Sequence, residues 1–421
     1  MPAPRTAVLT PLLRAPLLLA VVLLALTASQ APPRAEAEAA GARFPGLRVF
    51  ASAHYHIHTD LPRAAVVPIG RHMDAIHEQY TQRFAAFKTR DRAPMPLYLF
   101  RTKATYHAFL AAHDLASDHS GGMFFVTPRV SGLATWVEGN SRSRTLSVLQ
   151  HEGFHQFAWR HLGPGLPVWV NEGLAQYFED AILIDGRLAL GLANAGRVQR
   201  VREALEADEA LKLSALFALT PERWGNTLRE EPDRADLLYA QAWSVAYFLI
   251  HADDGRYRRA FGRYLELLAG QHDPEHAFAT AFGVATLDGM ERAWRRFAQQ
   301  QEPDPVSTAA QRLEFIGTAL RYLHENRQPS PRSIAALRDH LRSRGFSVSR
   351  TSHGVSQTLN AADEKLFTFT RPGGATAPFV MLEASRDDLP PRVTAPGLRP
   401  EPTLVWSRDD NGQLVQDLTY R

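Results

Sequence analysis

Apolar side chains recur at helical spacing through Ile69, Met73, Ile76, Tyr80, Phe84 and Phe87, so residues 63–88 are expected to form one amphipathic helix. Alternation takes over on either side of it. From Arg48 to Asp60 the pattern reads as a strand, with Tyr55 and Ile57 on one face and His54, His56 and His58 on the other. Pro94–Phe100 (PMPLYLF) reads as a second strand, followed by a helix over 103–113. Gly121–Val137 reads as one or two short strands with a turn, and helical spacing then dominates from Ser143 to Gln301. Glu302–Pro305 (EPDP) marks a boundary. Beyond it the pattern predicts a helix near 308–324 and another that starts at Ser330-Pro331, as N-cap and first-turn proline, and stops near Gly345. Short strands follow, with Asp410-Asn411-Gly412 as a hairpin turn.

Residues 1–30 fall outside this pattern. Arg5 and Arg14 precede an apolar run from Ala15 to Ala28, and no acid occurs before Glu36. That is the layout of a secretory signal peptide, with cleavage after Ala28 or Ala31 or within Ala35–Ala40. An uncleaved N-terminal anchor is the alternative, but the run is short of the roughly 20 residues a membrane span needs. Residues 31–43, rich in Pro, Ala and Glu, read as a linker. The expectation is an exported protein, periplasmic or secreted, with no stable membrane span once the signal is cleaved.

Composition narrows the chemistry. The 421 residues are 45% hydrophobic and 22% charged, which excludes a disordered chain and is ample for a core. With no Cys, thiolate zinc sites, iron–sulfur clusters and Cys nucleophiles are ruled out. A net charge of +3, falling to +1 without Arg5 and Arg14, gives no case for nucleic acid as a partner.

The chemistry concentrates in Leu146–Glu179 (LSVLQHEGFHQFAWRHLGPGLPVWVNEGLAQYFE). His151 and His155 sit four apart, on one face of a helix, so both imidazoles can reach one metal ion. Glu152 lies about 100° round from them, beside the pair, where it can act as a general base without binding the metal. A catalytic zinc needs a third protein ligand and an open position. Gly163-Pro164-Gly165 turns the chain, Pro167 suits the first turn of a returning helix, and Glu172 comes back to the level of the imidazoles. His151, His155 and Glu172 are therefore the expected zinc ligands and Glu152 the base.

This segment resembles the gluzincins, zinc metallopeptidases with an H-E-x-x-H helix and a Glu ligand on the next helix. HEGFHQF…LPVWVNEGLAQYFE is closer still to peptidase-MA-like bacterial envelope proteins, and residues 48–300 share their order of elements. The resemblance implies a zincin-like metallopeptidase domain, a small mixed sheet (44–141) plus a helical half (142–303); residues 304–421 lie outside it and read, from their own pattern, as an additional C-terminal α+β domain. It also implies an oxyanion donor further downstream. Tyr239 is the candidate, Tyr247 its rival on the same helix, and a Tyr merely packed in the core the plainer alternative. Two departures stand out. Where thermolysin-like enzymes carry an Asp four residues after the ligand Glu, this chain has Gln176, and Glu179 could take over that role. Gly121-Gly122-Met123-Phe124 occupies the place of a substrate-edge strand but lacks the Glu that aminopeptidases use, which favours internal peptide bonds.

Two other features have functional and plain readings. His54, His56 and His58 have a ligand spacing, against a solvated strand face. Trp294-Arg295-Arg296 and Arg256–Arg263 could touch anionic polymer, against the polar side of a helix. The expected function is thus a zinc metallopeptidase acting on a peptide or protein substrate; the alternative is a non-catalytic envelope scaffold that keeps the zinc fold.

Overall fold

The computed structural model describes residues 46–421 except 88–92, 116–120, 129, 284–286, 353–354 and 410–411, and the side chains of 350–357. The leader and linker expected at 1–43 lie outside the described residues. Among those described, no helix is long and apolar enough to cross a membrane.

The architecture is mixed α+β. Five strands form one sheet: β1 (Arg48–Ala51), β2 (Tyr55–Thr59), β3 (Met95–Phe100), β4 (Gly122–Val126) and β5 (Ser131–Trp136), in the order β1-β2-β3-β5-β4. The β2–β3 and β3–β5 pairs are parallel, and β1–β2 and β4–β5 antiparallel, so β4 is an antiparallel edge. Helices α1 (Arg63–Arg83) and α2 (Lys103–Ala112) connect the strands. Two long helices follow, α3 (Arg142–His161) and α4 (Val168–Glu179).

Residues 48–60 depart from the single strand that alternation suggests. They form a hairpin, because Asp74 on α1 accepts from Ser52 Oγ and from the amides of Ala53 and His54 and ties down the bend. Tyr55 and Ile57 do point into the core together, but His58 is buried too, stacked 4.8 Å from Tyr98, because the sheet is covered on both faces. Helix α1 stops at Arg83 instead of running to 88: Phe84 caps it and, with Phe87, packs back onto the core.

The helical region is also interrupted. Strands β6 (Ile182–Ile184) and β7 (Arg187–Ala189) pair as a hairpin after α4. The turn pair Asp185-Gly186 between Ile182–Ile184 and Arg187–Ala189 was its sequence signal. Helices α5 (Ala195–Glu206), α6 (Leu213–Phe217), α7 (Pro221–Glu230) and α8 (Pro232–Gly255) then build the helical half, extended by α9 (Arg258–Ala269), α10 (Pro274–Phe282) and α11 (Leu287–Gln300). Trp294 is buried and donates to Ser244 Oγ at 3.1 Å, so the Trp-Arg-Arg run is core on one side and ion-paired polar surface on the other, with Arg295 against Glu291 at 2.9 Å.

A second hydrophobic cluster begins at Val306, on α12 (Pro305–Glu325), whose N-cap Asp304 comes from the expected break. Helix α13 (Ile334–Ser343) is capped by Ser333 Oγ, three residues later than Ser330-Pro331 suggested, because that hydroxyl reaches the Ala336 amide. Antiparallel strands follow: β8 (Ser347–Ser352) with β9 (Val355–Asn360), and β10 (Thr368–Thr370) with β11 (Thr376–Pro378). The last sheet orders β12 (Val380–Leu382), β13 (Arg392–Thr394), β14 (Pro402–Arg408) and β15 (Leu414–Tyr420). Strands β14 and β15 pair as the turn at 410–412 required, though Asp410 and Asn411 themselves lie outside the described residues. The two halves touch: Asp417 on β15 accepts from the Ser143 amide at the start of α3, at 3.0 Å.

One glycine sets how closely the site's helices approach. A Cβ on Gly173 of α4 would lie 2.5 Å from the Ala242 carbonyl oxygen of α8. That neighbour is backbone and cannot swing aside. Gly173→Ala is expected to destabilise the protein by about 1–3 kcal/mol, read as a lower Tm in a thermal melt; an unchanged Tm would contradict this packing.

Candidate metal centre

Helix α3 opens with Ser141 Oγ accepting from the Arg144 amide, and its centre is buried all round from Val148 to Ala158. An all-round apolar environment suits a central helix, and it leaves the polar side chains there without water. Gly163, at φ 83°, ends the helix in the left-handed region, with its amide on the Ala158 carbonyl. The chain then returns as α4, for which Pro167 is the N-cap residue, one position earlier than the first-turn placement expected of it. Helix α4 lies between α3 and α8, so Glu172 faces back toward the two imidazoles.

The three residues converge. His151 and Glu172 are 0% exposed, His155 2% and Glu152 1%. His151 Nε2 lies 3.5 Å and His155 Nε2 3.6 Å from the same Glu172 oxygen, Oε2. Both separations are too long for a good hydrogen bond. Accordingly, His151 Nε2, His155 Nε2 and both Glu172 oxygens are buried with no hydrogen-bond partner. At about 1–3 kcal/mol for each unpaired buried group, the deficit is comparable to a domain's whole net stability. A cation between them would engage both ring nitrogens and a Glu172 oxygen. Among the described residues, this is the group of three that could hold a metal ion.

The electrostatics point the same way. Burial alone would lower His151, yet the Glu172 and Glu179 carboxylates beside it lift it to about 9. Burial alone would raise Glu172, yet His155 and the two ring contacts hold it at about 2. The pocket's carboxylates favour positive charge between them.

Glu152 sits beside this cluster, as its place on the helix required. Its Oε2 accepts from the Phe124 amide of edge strand β4 at 2.7 Å. Burial raises its carboxyl above the usual range, against the lowering effect of the His155 and His151 charges and that amide. Tyr239, on α8, is buried edge-to-face with Trp224 at 5.2 Å between ring centres. Burial raises its hydroxyl far above the usual value, and the next cause is the Glu172 charge, so it belongs to the surroundings of the cluster. Tyr247 is turned elsewhere and donates to the Gly191 carbonyl at 2.9 Å.

The three alternating histidines do not converge: His54 stacks on His77 at 4.1 Å and His58 on Tyr98. Sequence reasoning missed Gln150, whose Nε2 donates to the carbonyls of Phe178, Glu179 and Ala181 at 2.7, 3.2 and 3.0 Å and so ties α3 to the end of α4. Its only signal was a polar residue next to His151 on an otherwise apolar face.

Fold and site together define a mixed α+β protein with a buried His–His–Glu cluster that could hold a metal. Residues 145–272, which include every residue of that cluster, match the profile of a family described as a protein of unknown function (DUF1570). No curated protein matches the chain.

Proposed function

We propose that the chain is an exported zinc-dependent metallohydrolase, a peptidase of the gluzincin type with a zincin-like fold. The observation that carries this reading is the convergence of His151, His155 and Glu172 with Glu152 alongside but outside the set. Zinc suits the donors. Ligand atoms 2.0–2.2 Å from a tetrahedral zinc stand roughly 3.3–3.6 Å apart, and Glu172 Oε2 lies 3.5 and 3.6 Å from the two ring nitrogens. Two imidazoles and one carboxylate also leave a position open, as catalytic sites require.

When bound, zinc supplies a Lewis acid for the attacking water and the scissile carbonyl. The rest falls to the chain. Glu152 takes a proton from the water on its carboxylate and passes it to the departing amine nitrogen. The Phe124 amide keeps that carboxylate aimed, and its raised affinity for protons matches the task. Tyr239 donates its hydroxyl to the oxyanion that develops on the carbonyl carbon. An intact base favours this reading over a scaffold, since a site that only binds metal has no use for Glu152.

The test is a proteome-derived peptide library incubated with the zinc-loaded protein and read by mass spectrometry. Cleavage at internal bonds is expected; zinc binding with no cleavage would favour the scaffold. In the same assay Tyr239→Phe is expected to lower kcat by roughly 10–10³-fold with zinc retained. Unchanged kcat would return Tyr239 to the role of a packed core residue.

A further inference from the structure

His151 is held on both sides of its ring. Nε2 faces Glu172, and Nδ1 lies 3.1 Å from Glu179 Oε2. His155 has no such support: its Nδ1 is buried without a hydrogen-bond partner among the described residues. Glu179 is itself fixed from several directions. Arg197 Nη2, on α5, lies 3.1 Å from the same Oε2, and Arg144 Nη1, on α3, lies 3.8 Å from Oε1. The Gln150 amide holds the backbone carbonyls of Phe178, Glu179 and Ala181. Among the described residues Gln176 makes no hydrogen bond to either imidazole, and its Nε2 is buried without a partner.

We propose that Glu179, clamped by Arg197, is the positioning residue of the metal centre, and that Gln176 has no part in it. A carboxylate accepting from Nδ1 fixes the ring's orientation and its tautomer, and leaves the Nε2 lone pair directed at the shared ligand point. The asymmetry matters: among the described residues His155 Nδ1 has no partner, and the His151 ring is the one supported by a carboxylate. The support also reaches into the C-terminal part of the chain. Arg197 sits in the first turn of α5, where the Ala195 amide donates to Ser307 Oγ at 3.0 Å and Asn194 Oδ1 caps the Arg197 amide at 3.1 Å.

The proposal rests on the metal-site reading, and its test separates the two. The full chain is stripped of metal and titrated with Zn²⁺ against a competing chelator. Glu179→Gln is expected to raise the zinc Kd roughly 10–100-fold, whereas Gln176→Met leaves it within about twofold. With Co²⁺ as probe, the visible absorption of Glu179→Gln should shift while that of Gln176→Met overlays the wild type. If Glu179→Gln does not fold, Arg197→Met leaves the carboxylate in place but without the nearer of its two arginines, and is expected to weaken zinc by roughly 3–10-fold. Wild-type binding of zinc with unchanged Kd and Co²⁺ spectrum in the Glu179 variant, or in the Arg197 variant if that one must serve, overturns the positioning role alone. Failure of the wild type to bind zinc overturns the metal-site reading and this proposal with it.

Discussion

Glu152→Gln is expected to lower peptide hydrolysis by about 10²–10⁴-fold while zinc stays bound at one equivalent. The substitution is close to isosteric, and the Gln carbonyl can still accept from the Phe124 amide, so the 2.7 Å contact that orients the side chain survives. What disappears is the basic oxygen that, in the proposed reaction, removes a proton from water and returns it to the amine. Because Glu152 is outside the converging trio, its loss should separate catalysis from metal binding. A hydrolysis rate within about tenfold of the wild type would remove Glu152 from the mechanism. Loss of zinc would show instead that it is a ligand.

Glu172→Ala should do the opposite and remove the metal. Both imidazoles face Glu172 Oε2, and among the described residues no other carboxylate joins them in a group that could hold a metal. The expected weakening of zinc exceeds the roughly 10–100-fold that loss of a supporting partner costs. Stability should follow by linkage. A metal bound at about 1,000 times its Kd adds about 4 kcal/mol, so a chelator should lower the wild-type Tm markedly. The Glu172→Ala protein should melt at the same temperature with or without chelator. A chelator response equal to the wild type's would show that the metal is held elsewhere.

The candidate centre was legible in the sequence because its geometry is local. His151, Glu152 and His155 are related by one turn of helix, and Glu172 by a short turn whose breaker residues announce it. Glu179 was legible for the same reason, seven residues beyond Glu172 on the same face, and it reaches His151 Nδ1. What was not legible depends on distant parts of the chain. The bend that makes residues 48–60 a hairpin is tied by Asp74, and the order β1-β2-β3-β5-β4 that makes β4 an edge is fixed by crossovers. Arg197 and Gln150 reach the centre by tertiary packing, with no periodic signal to mark them. The reason for Gly173, between Glu172 and Leu174, is a carbonyl on α8 nearly seventy residues on. Histidine spacing alone was uninformative at 54–58, where no returning acid accompanied it.

The central claim is that this pocket is a zinc site. Its most direct test is the stoichiometry of zinc bound by the metal-free full chain in a calorimetric titration. One tight equivalent is expected, lost in Glu172→Ala and kept in Glu152→Gln. No uptake by the wild type, or an equivalent that survives Glu172→Ala unchanged, would contradict the account.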